Sequence, residues 1–352
     1  MRRPWLPLMA ATAAMLITAA PVLGCGGLIG PNGAVNLLRT TTLAGYHGGV
    51  EHYVTSFEFA GGGGAFGSIT PLPDIPSKVE RGGDWTLQRL IRETDPAPAT
   101  FEVFANVGED LRGEAEVLLE TTIDALDITI LRGGGDEVGL WAKNHGFRLP
   151  PDSPEVLDFY ADRSPIFLAA AFDADAAAER GQQVGDGTAV HITIPTDDPW
   201  VPLRILGLGK TGEERVDADV YLLTDRRPAL LPAPTGVNGL RLDHTAAAST
   251  SLLDDLRSDR GMEWVPSEAW LSKVAVDASA AELGYDLAID ASGAGNPSRI
   301  AAGFFVPTLG GVTEVAAEQG IDLRRVLLAL LATLAGIGAI FAITRYRPNA
   351  AG

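Results

Sequence analysis

Three glycines, Gly62, Gly64 and Gly67, spell G-x-G-x-x-G inside "FEFAGGGGAFGSITPLPDIP", after a run that reads as a β-strand. At a strand-to-helix turn, that spacing cradles a dinucleotide pyrophosphate on the first N–H groups of the helix. Here Pro71, Pro73 and Pro76 follow within a few residues. Proline removes backbone donors and breaks helix interiors, so no crossover helix can start there. The glycines are therefore expected to connect strands, with no nucleotide bound. A second phosphate motif fails in the same way. Gly209, Lys210 and Thr211 match the end of a P-loop, but the position that needs the first glycine is Arg204, and "EERVDADVY" then supplies a strand instead of a helix.

Metal and nucleophile chemistry are equally thin. His47, His52, His145, His191 and His244 are scattered singly, without H-E-x-x-H or other ligand spacing. His47 and His52 flank one hairpin turn, where a solvated hairpin is the expected reading. The pairs Asp173/Asp175 and Asp217/Asp219 lack the glycine and distal glutamate of a calcium loop and read as strand ends. Neither G-x-S-x-G nor S-x-x-K occurs. No catalytic, cofactor or metal residue is assigned. Because Asp and Glu are plentiful, a carboxylate pair assembled in space, as in a glycosidase-like exported hydrolase, stays open as an alternative.

Cys25 is the single cysteine, which rules out an intramolecular disulfide and cysteine-based zinc or iron–sulfur sites. It follows "VLG", with Val22 at −3 and Gly24 at −1. This resembles the lipobox of bacterial lipoproteins, although Leu23 at −2 departs from the small residue usual there. Lipidation of Cys25 and ordinary cleavage near Gly24 both remain open.

The ends of the chain address it to a membrane. Arg2 and Arg3 precede "WLPLMAATAAMLITAAPVLG", an apolar run closing on small residues, as in a secretory signal peptide covering 1–24. Near the other end, "VLLALLATLAGIGAIFAIT", residues 326–344, carries no charge over 19 residues. At about 1.5 Å per residue, such a helix spans roughly 28 Å, close to the hydrocarbon thickness of a bilayer. Arg345 and Arg347 follow in a short tail, 345–352, expected on the cytoplasmic side. The full chain has a formal net charge of −18; leaving out Arg2, Arg3 and the four arginines flanking the apolar run brings it to −24. An acidic surface of that size excludes coating of DNA or RNA. It suits a hydrated domain outside the cell membrane.

Between the ends, the pattern predicts an α+β fold, mostly antiparallel sheet with short helices. "AVNLLRTTTLAGYHGGVEHYVTSFEFA" reads as two strands around "YHGG", and "GDWTLQRLIRETDP" reads as a short helix. Asp136 is expected to cap one helix ending at Gly146, and Ser153 another with Pro154 at its first position. "PIFLAAAFD", "TAVHITIP", "VPLRILGL" and "ADVYLLTD" read as four strands. In the second, Val190, Ile192 and Ile194 alternate with His191 and Thr193, the pattern of a sheet with one wet face. A helix near 251–259 and strands near 272–277 and 285–290 follow. The Pro/Gly-rich "RRPALLPAPTGVNG" is the best candidate boundary. It separates a main part, 25–232, from a second part of the ectodomain, 240–310, with a stalk at 311–325.

The order of landmarks resembles a bacterial family of exported proteins labelled domain of unknown function 2330. The matching stretches are "CGG" after the signal, "GGVEHYVTSFEF", "FGSITPLPDIP", "LWAKNHGFRLPPDSPEVLDFY", and "TDDPWVPLRI" followed by "VYLLTDRRP". The resemblance implies export and a terminal membrane helix. It implies no activity and no catalytic residue. The expectation is a membrane-anchored extracytoplasmic binding or cell-envelope module, whose partners are envelope proteins or polysaccharide.

Overall fold

The structure is a computed structural model, described over residues 22–23, 27–30, 33–34, 39–57, 67–95, 116–172, 188–308 and 311–314. Three short strands come first, β1 (Val22–Leu23), β2 (Gly27–Gly30) and β3 (Gly33–Ala34). β4 (Arg39–His47) and β5 (Val50–Phe57) then form a hairpin. Its turn holds Gly48 and Gly49 at φ of 60° and 81°, two successive left-handed residues that match the twist of a two-residue hairpin. β6 (Gly67–Leu72) follows, so a strand and not a helix leads on from Gly67.

β7 (Lys78–Arg81) precedes helix α1 (Thr86–Thr94). β8 (Glu116–Ile123) and β9 (Leu126–Arg132) make a second hairpin, turning at Asp124. Helices α2 (Gly135–Asn144) and α3 (Ser153–Ala161) lead to β10 (Ile166–Phe172) and β11 (Thr188–Pro195). β12 (Trp200–Val201), β13 (Arg215–Thr224), β14 (Ala229–Leu231) and β15 (Leu240–Ala247) come next. Helix α4 (Thr250–Ser258), β16 (Trp270–Ser279), β17 (Leu287–Asp290), β18 (Phe305–Thr308) and β19 (Gly311–Glu314) complete the order. Apart from Thr313 and Glu314, every described residue belongs to the unit Met1–Val312.

The main sheet runs β15-β16-β13-β4-β5-β11-β7, and a second runs β3-β2-β6-β10-β9-β8. Pairing in the main sheet is antiparallel except where β13 and β1 lie parallel to β4. The fold is thus α+β, mostly antiparallel, with a few short helices. β15 and β16 extend the main sheet beyond β13, and β17 pairs with both β12 and β14. Residues on both sides of "RRPALLPAPTGVNG" therefore share sheets.

Alternation gives each face of the main sheet its own cover. Tyr53, Val190, Ile192, Ile194, Val220 and Leu222 share one apolar core with Ile69, Ile130, Phe167 and Leu168 of the second sheet and with Val138 and Leu157 of α2 and α3. Leu43, Val54, Tyr221, Leu223 and Leu271 face the other way, against Leu87 and Leu90 of α1 and Leu252, Leu253 and Leu256 of α4. Each such leucine contributes about 1.5–3 kcal/mol when fully buried. Ser249 starts α4 by accepting the Leu252 N–H on its hydroxyl.

Four local expectations need correction. His191 and Thr193 do not lie on a wet face: helices cover it, and His191 is 3% exposed. "VPLRILGL" is not a strand beyond Val201. The Leu203 and Arg204 N–H groups are taken by the Asp286 carboxylate at 2.6 and 2.9 Å, and the backbone winds into a single 3₁₀ turn, Arg204–Gly207. Gly134, not Asp136, is the N-cap of α2, because Glu137 reaches back to its N–H at 2.7 Å. Ser153 lies inside the first turn of α3, with Asp152 as N-cap. Asp152 instead accepts the Gly209 N–H.

Candidate functional site

Two histidines that the sequence keeps 139 residues apart meet in space. In the antiparallel register, His52 pairs with Thr193 and His191 with Val54, so both imidazoles project from the same face, diagonally across β5 and β11. His52 Nδ1 lies 2.9 Å from His191 Nε2, in a hydrogen bond between two buried rings. The Trp264 indole stacks on His52, with centroids 3.9 Å apart and planes within 2°. That stack depends on β4 carrying glycine next to His52. A Cβ on Gly45 would stand 2.1 Å from the Trp264 ring, inside any real contact. Gly45→Ala is therefore expected to expel the indole and lower stability by about 1–3 kcal/mol. Denaturation midpoints and tryptophan fluorescence check this; an unchanged midpoint would contradict the packing.

A second glycine crossing roofs His191. A Cβ on Gly82 would meet His191 Cβ at 3.0 Å and the Arg260 carbonyl at 3.1 Å; one on Gly261 would meet Gly82 Cα at 3.1 Å. The Gly83 N–H donates to the Arg260 carbonyl at 2.8 Å. Asp259, 2% exposed, anchors this roof to the start of α1, accepting the Trp85 N–H and the Thr86 hydroxyl at 3.0 and 2.8 Å.

Burial sets the protonation state of the pair. It pushes His52 down to about 3, with the neighbouring His191 and then His47 adding to the effect. His191 is pushed down to about 4, again by burial first; Glu80, the Gly261 backbone and Glu263 oppose the shift, and Lys78 adds to it. Both rings are neutral at pH 7, so one N–H donates and one bare nitrogen accepts. His191 Nδ1 completes no hydrogen bond among the described residues, and Glu80 Oε1 stands 3.8 Å away. The Trp264 indole N–H is also buried without a partner among them. No third ligand joins the rings: the described residues contain no group of three metal-ligating side chains.

The opposite face of β5 holds Glu51, fully buried between Tyr46 and Ile194 of the neighbouring strands. Burial raises its carboxyl to about 8, and only the Trp200 backbone N–H favours the anion. A further polar centre surrounds Asp286, which is 0% exposed. It pairs with Arg163 and accepts from the Tyr160 hydroxyl at 3.0 Å, besides the Leu203 and Arg204 amides. The Arg163 guanidinium lies 4.1 Å over Trp200, and burial lowers it to about 10.

The remaining candidates fall elsewhere. His47 pairs with Asp225 at 2.6 Å, in the open, and does not meet His52. His145 stacks on Trp141 at the end of α2, and His244 sits on the edge strand β15. Asp217 and Asp219 lie within β13, not at its end, and the buried Asp219 carboxylate lies 3.3 Å from Lys273 Nζ on the adjacent β16. Gly209, Lys210 and Thr211 lie in the loop before β13, not at the start of a helix. Residues 58–66, Cys25, Asp173, Asp175 and 326–344 lie outside the described residues. Among those described, no helix is long and apolar enough to cross a membrane. A groove of about 430 Å³ lies between α2 and α3, lined by Gly139, Leu140, Lys143, Leu149 and the prolines 150, 151 and 154.

Compared with known proteins, the chain matches no family model and no curated protein. Solved structures similar to it include a mutated baculovirus P35 after caspase cleavage, at TM-score 0.41 and 9% identity, over 73% of this chain and 98% of that one. A second structure of the cleaved mutant gives 0.38 at 10% identity, over 71% and 99%. Baculovirus P35 itself gives 0.37 at 10%, over 71% and 96%. So distant a likeness says nothing about activity.

Proposed function

We propose that the protein is a membrane-anchored extracytoplasmic binding module of the bacterial cell envelope, similar to the exported family labelled domain of unknown function 2330. Residues 1–24 direct export, 326–344 cross the membrane, and 345–352 remain cytoplasmic. The observation that carries this reading is the charge pattern: an apolar run of 19 uncharged residues beside a strongly acidic remainder. Among the described residues, the buried carboxylates support binding over hydrolysis, because none of them forms an acid–base pair with another carboxylate. Asp286 holds Arg163, Asp259 holds the start of α1, and Asp219 faces Lys273. No second carboxylate contributes to the shift of Glu51. The α2–α3 groove, with Leu140 46% exposed and no aromatic side chain along its wall, suits a segment of an envelope protein better than a sugar ring.

Protease added to intact spheroplasts should digest the unit Met1–Val312, while a chain ending at residue 320 should leave the membrane fraction once Cys25 is replaced by serine. Full protection of that unit, or pelleting of the shortened Cys25→Ser chain to the same extent as the full one, overturns the topology. In the shortened chain, intact mass decides Cys25: a diacylglyceryl addition lost in Cys25→Ser makes a second anchor, worth about 0.8 kcal/mol per buried methylene. A photo-cross-linker at Leu140 should capture a protein partner from the envelope; capture of none removes the groove from the proposal.

A further inference from the structure

We propose that His52 and His191 form an acid-sensing pair that holds the roof, residues 259–265, shut, and that the roof opens when the pair takes up protons from solvent. The roof meets the sheet over these two rings and, beside them, through Met262 and Val265, which share an apolar cluster with Leu43 and Val54. Trp264 rests on His52 and on the bare backbone of Gly45, and the Gly82–Gly261 crossing rests on His191. Neither the indole N–H nor His191 Nδ1 is hydrogen-bonded among the described residues. Directional bonds hold both ends of the roof, at Asp259 and Arg260 on one side and at the Val265 and Pro266 carbonyls, which accept from Arg257 at 3.3 and 2.8 Å, on the other; the Trp264 indole between them is seated by ring stacking.

The groups around the pair show why a proton is refused while the roof is shut. From β7 come Glu80, which favours a charge on His191, and Lys78, which opposes it. Lys78 Nζ also lies 2.7 Å from Glu80, so part of that carboxylate's field is already neutralised. From β4, His47 opposes a charge on His52. From the roof itself, the Gly261 backbone and then Glu263 favour one on His191, while Asp259 is committed to the start of α1. The pair can accept at most one shared proton without placing two cations 2.9 Å apart. Lifting the roof exposes both imidazoles to water, where each regains an ordinary affinity for protons. Closed and open states therefore bind different numbers of protons, and falling pH shifts the population toward the open one. The open state also uncovers Met262, Val265 and Trp264, an apolar strip otherwise packed on Leu43, Val54 and Leu87.

Amide exchange of residues 259–265 in the full-length chain, measured at pH 7 and pH 5 and corrected for intrinsic rates, tests this. The open population should rise about 20-fold if one imidazole is taken up on opening and a few hundred-fold if both are. The α3 backbone around Tyr160 should not follow. The double variant His52→Gln, His191→Gln should lose the acid response. If it does not fold, His191→Gln alone, which keeps the Trp264 stack, should halve the response on a logarithmic scale. No rise in the wild type, a rise shared equally by α3, or a full rise retained in a folded variant would each overturn the proposal.

Discussion

Replacing Asp286 with alanine is expected to cost about 3–5 kcal/mol, enough to lower the melting temperature by about 10 °C. The carboxylate is fully buried and carries four partners: Arg163, the Tyr160 hydroxyl and the Leu203 and Arg204 amides. Removing it leaves a guanidinium whose side chain is 2% exposed with the Ala301 and Ile300 carbonyls but no counter-charge, and leaves three neutral donors without their acceptor. Arg163→Met should cost less, because Asp286 keeps its other three donors and the methionine fills the space over Trp200. Denaturant midpoints of the two single variants and the double variant measure the coupling. Equal costs, or additive ones, would mean that the pair is not the centre of this network.

Glu51→Gln is expected to have the opposite sign, stabilising the protein by about 2 kcal/mol at pH 7, with the extra unpaired amide donor set against the gain. The native carboxyl titrates near 8, against a reference value of 4.5, because it is buried. A group whose native value is raised contributes most below its unfolded value and loses that contribution as pH rises through the native one. Between pH 4.5 and 8, folding must therefore take up a proton at Glu51. Glutamine needs none. Parent and variant should be closest near pH 4.5 and separate steadily toward pH 8. Comparing them at equal pH cancels the histidine pair, whose contribution runs the other way: with both native values depressed, it is lost as pH falls below 6.5. Curves that close up toward alkaline pH would show that Glu51 is already ionised in the native protein.

Much of the fold was legible because short-range rules governed it. Two adjacent glycines named the β4–β5 turn, and alternation named the inner face of β11 through Val190, Ile192 and Ile194. Prolines after Gly67 told against a phosphate-binding helix, and β6 occupies that place. What stayed hidden depended on partners far away in the chain. Nothing near His191 reveals that α1 and α4 will cover its face, or that His52 will stand on the neighbouring strand. "VPLRILGL" has the apolar content of a strand, but a carboxylate more than 80 residues later, Asp286, takes its amides instead. Gly45 looks like an ordinary strand residue until Trp264 is placed on it.

The parallel seam between β4 and β13 sets a condition on how the molecule is made. β4 ends at His47 and β13 begins at Arg215, yet they lie side by side at the centre of the main sheet, with β15 and β16 beyond them. A chain still being synthesised holds β4 with one flank unpaired until more than 160 further residues have appeared. Contacts of that separation are slow to form and leave a sheet edge open to other chains in the meantime. Whatever receives the growing chain must therefore keep β4 apart from its neighbours until β13 arrives.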